Sequence, residues 1–514
     1  MISAKCIYIK TSIFFVLSLL GFQTAILHAQ RDRFIPDSLD LYVKNGLKKW
    51  NIPGAAIAVI QDGKIILTKG YGVRDMNSET PVDENTLFMI ASNSKAVTGT
   101  ILATLEQEKK LTMEDKVSQW LPDFKLYDPN STTMLTIEDL VSHRMGFETF
   151  QGDFCHWSTK ATTADVIQRM ALIKPVYGFR DKWGYCNAGY AVAGEIIKKA
   201  SGLSWSEYVK NKIFSPLEMK NSLALTADFP SSDNHCSPHT IYENKLIPLK
   251  IPNIDNMAPA TSICSSVADW SKWLSMIINK GIWQQRQIIP QAAIDKSITP
   301  VSLIGNYKPM YNTGHFAMYG LGWKIQDYCD FRMISHTGGA DGFVTSVTWV
   351  PEKKCGVIVF TNTDANSFYQ AAKMEILDAL LEKPFRDYSD TMFQKFQLSM
   401  IEDLKWIQQK KDTVSMNRKP SIALDEFTGK YENEVYGSMN IIRKGKELEI
   451  YFPLNECTGR LESLGENRFL CTYSNPLLGI KVFPFEVQNG KVKSVKVSCA
   501  DFVEFTNYDF KKIN

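Results

Sequence analysis

Leu87-Phe88-Met89-Ile90-Ala91-Ser92-Asn93-Ser94-Lys95-Ala96-Val97-Thr98-Gly99 is the stretch around which the rest of the chain is organised. An apolar approach ends at a small residue, and the run over 95–106, rich in Ala, Leu, Thr and Glu, continues as a helix. Ser92 therefore stands at a helix N-terminus, and Lys95, three residues on, shares its face. A serine hydroxyl is a poor nucleophile at neutral pH and needs a base beside it. A lysine amine serves only if burial or neighbouring positive charge lowers its pKa. Backbone N–H groups at the helix start would stabilise a developing oxyanion. Ser-x-x-Lys is a loose pattern, but it occurs only at Ser92 in this chain.

Working outward, the 514 residues exceed one compact core, and 44% hydrophobic content fits neither a fibrous nor a disordered chain. Two globular units are expected. A net charge of +3, with no dense Lys/Arg block carrying interleaved aromatics, gives a nucleic-acid partner no electrostatic support. The first residues differ in kind: Lys5 and Lys10 precede an apolar run over 13–27, and the small Ala29 precedes Gln30-Arg31-Asp32-Arg33. That pattern is a secretory leader over 1–29, cleaved near Ala29, since 13–22 is short for a membrane span. The expected location is exported, periplasmic or extracellular, with no membrane span after cleavage. Of ten cysteines, nine follow the leader without a small-domain disulfide pattern. His235, Cys236 and His239 lie in a polar loop without a second ligand pair at zinc-like spacing, so no metal is expected.

Leu39, Val43, Leu47 and Trp50 recur at helical spacing ahead of Pro53-Gly54. Apolar runs at 55–60 and 64–69, joined through Asp62-Gly63, signal a hairpin. His143 is expected to be structural, its ring bonded to backbone. The Gly- and aromatic-rich run 177–190 predicts a tight loop against a cleft wall, followed by a helix over 191–200 that stops at Gly202. A helix over 266–279 carries Trp270 and Trp273 as core. Strands at 343–350 and 356–362 complete an antiparallel sheet, and a helix over 367–382 packs on it. The expectation is thus an α/β (α+β) domain over 30–385, an antiparallel sheet flanked by helices. A helical connector and linker follow over 386–420. Short alternating β runs, including one at 503–505, predict a small antiparallel barrel or sandwich over 421–514 with a structural or gating role.

Three signals stand in order: Ser92-x-x-Lys95, Tyr185-x-Asn187 and His336-Thr337-Gly338. A tyrosine beside the pair can exchange a proton with nucleophile and leaving group if a cation favours its phenolate. An asparagine two residues later can hold the lysine and a substrate amide. His-Thr-Gly on an edge strand offers donors to a substrate, with small residues that let its backbone approach. This order and spacing resembles the serine β-lactamase and penicillin-binding-protein superfamily over about 36–385. Within it the chain is similar to the class C β-lactamase-like group of D-aminopeptidases, D,D-carboxypeptidases and esterases.

The resemblance implies Ser92 as acylated nucleophile, Lys95 as its proton partner, Tyr185 as general base and acid, and Asn187 as orienting amide. His336, Thr337 and Gly338 would bind substrate, and the backbone N–H groups of Ser92 and Gly339 would form the oxyanion hole. It implies a small-molecule or peptide substrate, peptidoglycan-derived ones included, and neither metal nor organic cofactor; it leaves oligomeric state open. The third motif of that family usually begins with Lys, whereas His336 stands here. The anchor for a substrate carboxylate is then expected to be weaker and pH-dependent. Esters, small amides or D-amino-acid peptides are favoured, with a D,D-carboxypeptidase or β-lactamase as the alternative. A catalytically silent scaffold has no chemical reason to keep Ser92, Lys95 and Tyr185 together.

Overall fold

The computed structural model describes residues 34–513. The expected leader and its cleavage point lie outside them. The first helix, α1 (Leu39–Trp50), buries Leu39, Val43, Leu47 and Trp50 along one side and is closed by Asn51 in the left-handed conformation. The hairpin follows as β1 (Gly54–Gln61) and β2 (Lys64–Gly72), turning through Asp62 (φ 51°) and Gly63 (φ 73°). Positive φ at both turn residues matches the twist of the flanking strands and explains the Asp-Gly pair.

β1 then pairs with a strand far along the chain. The chain passes through α2 (Ser94–Gln107), α3 (Ala188–Ser201) and α4 (Val267–Ile278) before returning to the sheet. The returning strands are β3 (Ser302–Asn306), β4 (Phe316–Tyr319), β5 (Lys324–Tyr328), β6 (Phe331–Ala340), β7 (Phe343–Val350) and β8 (Cys355–Thr361). The eight strands lie in the order β2-β1-β8-β7-β6-β5-β4-β3, and each of their pairings is antiparallel.

Both faces of this sheet are covered, which is why β1 is apolar along its length rather than alternating. Ala56, Ala58 and Ile60 face the core built on α2, α3 and α4; Ala55, Ile57 and Val59 face a second core made with α1 and with α5 (Phe368–Leu380). Trp270 and Trp273 are buried in the first core, as expected. A long helix, α6 (Tyr388–Ser415), packs beside α5 and leads to the C-terminal unit.

That unit is a closed antiparallel barrel of eight strands, β9 to β16, from Gly429–Asn433 to Tyr508–Lys512. The run at 503–505, expected to be a strand, is instead part of a loop between the last two strands. Val503 is buried in the barrel's core, while Glu504 bonds the backbone of Gly152 and Phe154 and Phe505 stacks on Phe150 at 6.0 Å, so this segment packs at an interface instead of pairing as a strand. Phe154 of the first domain is buried in the barrel's own core, edge-on to Phe452 at 5.8 Å and stacked on Tyr436 at 5.2 Å. All nine cysteines among the described residues are buried, and none is in a disulfide.

Candidate active site

Ser92 lies in one turn of 3-10 helix (Ala91–Asn93) that runs into α2. The residue before it, Ala91, holds φ at 46°, a left-handed conformation that costs an alanine about 1 kcal/mol. Neighbouring bonds hold the turn in place. Asn93 Nδ2 donates to the Ile90 carbonyl at 3.0 Å and to Thr345 Oγ1 at 2.8 Å, and Ser94 Oγ donates to the Ala91 carbonyl at 2.7 Å. Ser92 keeps 9% exposure, enough for its hydroxyl to face a cavity.

Lys95 is fully buried behind it. Its Nζ donates to Ser92 Oγ at 3.2 Å, to Asn187 Oδ1 at 2.6 Å and to the Ala260 carbonyl at 3.1 Å, and lies 4.6 Å from the centre of the Tyr185 ring. Burial drives its pKa down to about 7, while the nearby Asp153 pulls the other way. An amine poised there can accept the serine proton, which an ordinary lysine cannot. Asn187 immediately precedes α3, and its Nδ2 donates to Asp153 Oδ2 at 2.6 Å. Burial holds Asp153 well above the usual carboxylate range, with Glu504 adding to the rise and the Asn187 bond opposing it.

The Tyr185 ring packs against His143 with ring centres 4.4 Å apart, and against Phe150 and Trp183. Burial keeps its phenol well above the ordinary tyrosine range although a hydrogen bond with Ser92 opposes this. The expected help from a neighbouring cation is therefore outweighed by desolvation, and the resting group is the phenol. His143 does bond to backbone, its Nδ1 accepting from the Cys186 N–H at 3.1 Å.

The third motif sits on β6. β5 pairs with β6 only from Phe331 to Ser335, so residues 336–340 have a strand neighbour on the β7 side alone. An interior strand thus becomes an edge at the motif. Gly338 lets this edge close on the Ser92 turn: a Cβ there would stand 2.0 Å from the Ile90 carbonyl oxygen. His336 points into the first core, where Nδ1 donates to the Thr337 carbonyl at 2.7 Å and Nε2 accepts from the Tyr319 hydroxyl at 2.9 Å. Burial, reinforced by Lys95, drives its pKa down to about 3. The expected pH-dependent anchor is corrected: this imidazole is neutral at physiological pH because it is sealed beside a lysine.

Ser92, Tyr185, Asn187, His336, Thr337 and Gly339 line one cavity of about 1100 Å³, with Lys95 and Gly338 directly behind its wall. Phe150, Trp157 and Tyr307 line it too. Two participants carried no signal in the sequence. Asp153 is one of many aspartates, in a loop with no motif. The other is the barrel loop, whose Phe502 lines the cavity and lies beside Gly339. Its neighbour Glu504, buried, accepts from the Gly152 N–H at 2.9 Å and the Phe154 N–H at 2.8 Å, gripping the backbone on both sides of Asp153. His235 and His239 instead make separate bonds to the Ser232 and Asn362 carbonyls.

The family model described as Beta-lactamase matches residues 39–381. Among curated relatives, "Unguisins hydrolase ungD'" of Aspergillus campestris is 26% identical over 435 residues, covering 78% of this chain and 76% of that protein. "Penicillin-binding protein 4*" of Bacillus subtilis is 25% identical over 352 residues, covering 65% of this chain and 73% of that protein. Among solved structures, the octameric penicillin-binding protein homologue from Pyrococcus abyssi superposes with a TM-score of 0.60. The match covers 92% of this chain and 99% of that one at 21% identity, a likeness of fold.

Proposed function

The chain belongs to the beta-lactamase family, and from that premise we propose that it is an exported serine hydrolase that acylates Ser92 and cleaves esters, amides or D-amino-acid peptides. The observation that carries this reading is the buried Lys95 amine within hydrogen-bond reach of Ser92 Oγ, with its pKa brought down to about 7. A relative named as a hydrolase and another named as a penicillin-binding protein support acyl transfer to serine.

In the proposed reaction, Ser92 Oγ attacks the substrate carbonyl carbon as its proton passes to Lys95 Nζ. Backbone N–H groups of Ser92 and Gly339 receive the oxyanion. The Tyr185 phenol gives its proton to the departing alcohol or amine and is reprotonated from Lys95, leaving an ester on Ser92. Water then attacks that ester, its proton returning through the same pair, and the acid leaves. Asn187, held by Asp153, keeps Lys95 aimed at the serine. Neutral His336 serves by ordering Tyr319 and the strand edge, not by charge.

The test is intact-mass spectrometry of the mature protein after exposure to a fluorophosphonate and, separately, to a penicillin, with Ser92→Ala as control. One adduct, absent from the variant, is expected with the fluorophosphonate, and the lifetime of any penicillin adduct separates a peptidase-like site from a β-lactamase. A folded protein that forms no adduct with either reagent would overturn the reading.

A further inference from the structure

The cavity that opens at Ser92 extends beyond the catalytic group. Its other lobe lies past the end of β5, on the opposite face of the sheet, between β5, α5 and α6. Lys324 and Gln326, two apart on β5, share that face, as does Ser335, the register partner of Lys324. Lys373 reaches the same lobe from α5, and the exposed Lys308 and Lys395 stand at its margin. Asp153, at the Ser92 end, is the one acidic residue among the described residues that line the cavity.

These donors have no counter-charge. Lys373 is 6% exposed, and its Nζ donates to Gln370 Oε1 at 2.7 Å; among the described residues neither Lys373 nor Lys324 has a carboxylate within ion-pair distance. Gln326 is 5% exposed and its Nε2 is buried with no hydrogen-bond partner. On β7, Thr348 Oγ1, directly opposite Ser335, is also buried without one. Removing an ammonium from water without a counter-charge, and an amide donor without any partner, costs several kcal/mol. The two lysines also repel each other: Lys373 is pushed down to about 7, by burial first and Lys324 second. A fold that gathers two lysines without a counter-charge and one unpartnered amide donor around one lobe has a binding site for what satisfies them, and such a set selects an anion.

We propose that this lobe is an anion-binding subsite, built from Lys324, Gln326 and Lys373, that takes the carboxylate or phosphate group of a substrate reacting at Ser92. The role of the substrate rests on the hydrolase reading; the existence of the subsite does not.

Two arms separate these. Isothermal titration of the full mature chain carrying Ser92→Ala, at low salt, uses adipate and inorganic phosphate as probes. Saturable binding is expected, with proton uptake as Lys373 recharges. Binding should be about tenfold weaker in Lys324→Met and in Lys373→Met, each loss reflecting one charge-assisted hydrogen bond. Methionine removes a buried charge while keeping the packing, and melting curves confirm the fold of each variant. No saturable binding of either probe, or equal affinity in both variants, would overturn the subsite. In the second arm, the Ser92 enzyme is given 4-nitrophenyl hydrogen adipate and the neutral 4-nitrophenyl hexanoate. A preference for the acidic ester that disappears in both lysine variants places the substrate's own anion in the lobe. Equal rates that free phosphate alters for both esters assign the lobe to a separate anion. A protein that binds phosphate but forms no fluorophosphonate adduct keeps the subsite and loses the hydrolase reading.

Discussion

Replacing Gly338 with alanine tests how the third motif seats the Ser92 turn. The new Cβ would stand 2.0 Å from the Ile90 carbonyl oxygen, 2.6 Å from Thr345 Oγ1 and 2.9 Å from the Ile90 carbonyl carbon, where ordinary contact begins at 3.4 Å. Strand β6 and the Ile90–Ser92 turn must therefore part by more than 1 Å. Neither yields easily, because the same carbonyl accepts bonds from Asn93 and Thr345 that hold the serine turn. Overpacking of this kind costs about 1–3 kcal/mol of stability. The larger effect falls on catalysis. The gap between Ser92 and the Thr337–Gly339 edge widens by about the misplacement that lowers rates on the order of 10²-fold. The assay is kcat/KM on a neutral 4-nitrophenyl ester beside urea unfolding, with Gly178→Ala as control, since a Cβ at Gly178 meets its nearest atom at 3.4 Å. Gly338→Ala activity within about twofold of the parent, at unchanged stability, would refute the claim that the edge is seated on the Ser92 turn.

On a neutral ester, kcat/KM should rise with pH and level off above about 7, where Lys95 has lost its proton. His336, held near 3, should add no step, so an extra inflection removed by His336→Gln would contradict a neutral imidazole. Glu504→Ala removes two backbone bonds flanking Asp153 and should lower kcat/KM at least about tenfold, although Glu504 does not line the cavity. A barrel unrelated to catalysis would show no loss. Asp364 and Glu375 are each raised to about 7, by burial first, so the folded state holds protons that the unfolded chain releases near pH 4. Their contribution is complete below that range and is lost as pH rises through about 7. Glu375→Gln should flatten this decline in unfolding free energy, and a slope unchanged in that variant would count against it.

Features that rest on neighbouring residues were legible before the fold was known. The hairpin was legible because Asp62-Gly63 supplies the positive φ that a two-residue turn demands, and α1 because one helical stripe must be buried. The Ser92 to Lys95 spacing is one helical turn, so it placed both groups together without knowledge of anything distant. The run at 503–505 misled because a short apolar stretch marks a packed loop as readily as a strand: Val503 fills the barrel core while Glu504 turns to the first domain.

Protonation states and the shape of the site depend on residues that folding brings together from distant parts of the chain. The pKa of Lys95 depends on burial beneath Ala260 and on Asp153, 165 and 58 positions away along the chain. His336 is neutral because the fold seals it beside that lysine, and no property of His-Thr-Gly announces this. The edge on which it sits exists because β5 stops pairing at Lys324. The grip of Glu504 on the Asp153 turn joins parts of the chain about 350 residues apart. Electrostatic energies depend on distance and solvent access, which folding sets. Turn and helix preferences depend on neighbouring residues, which the sequence already contains.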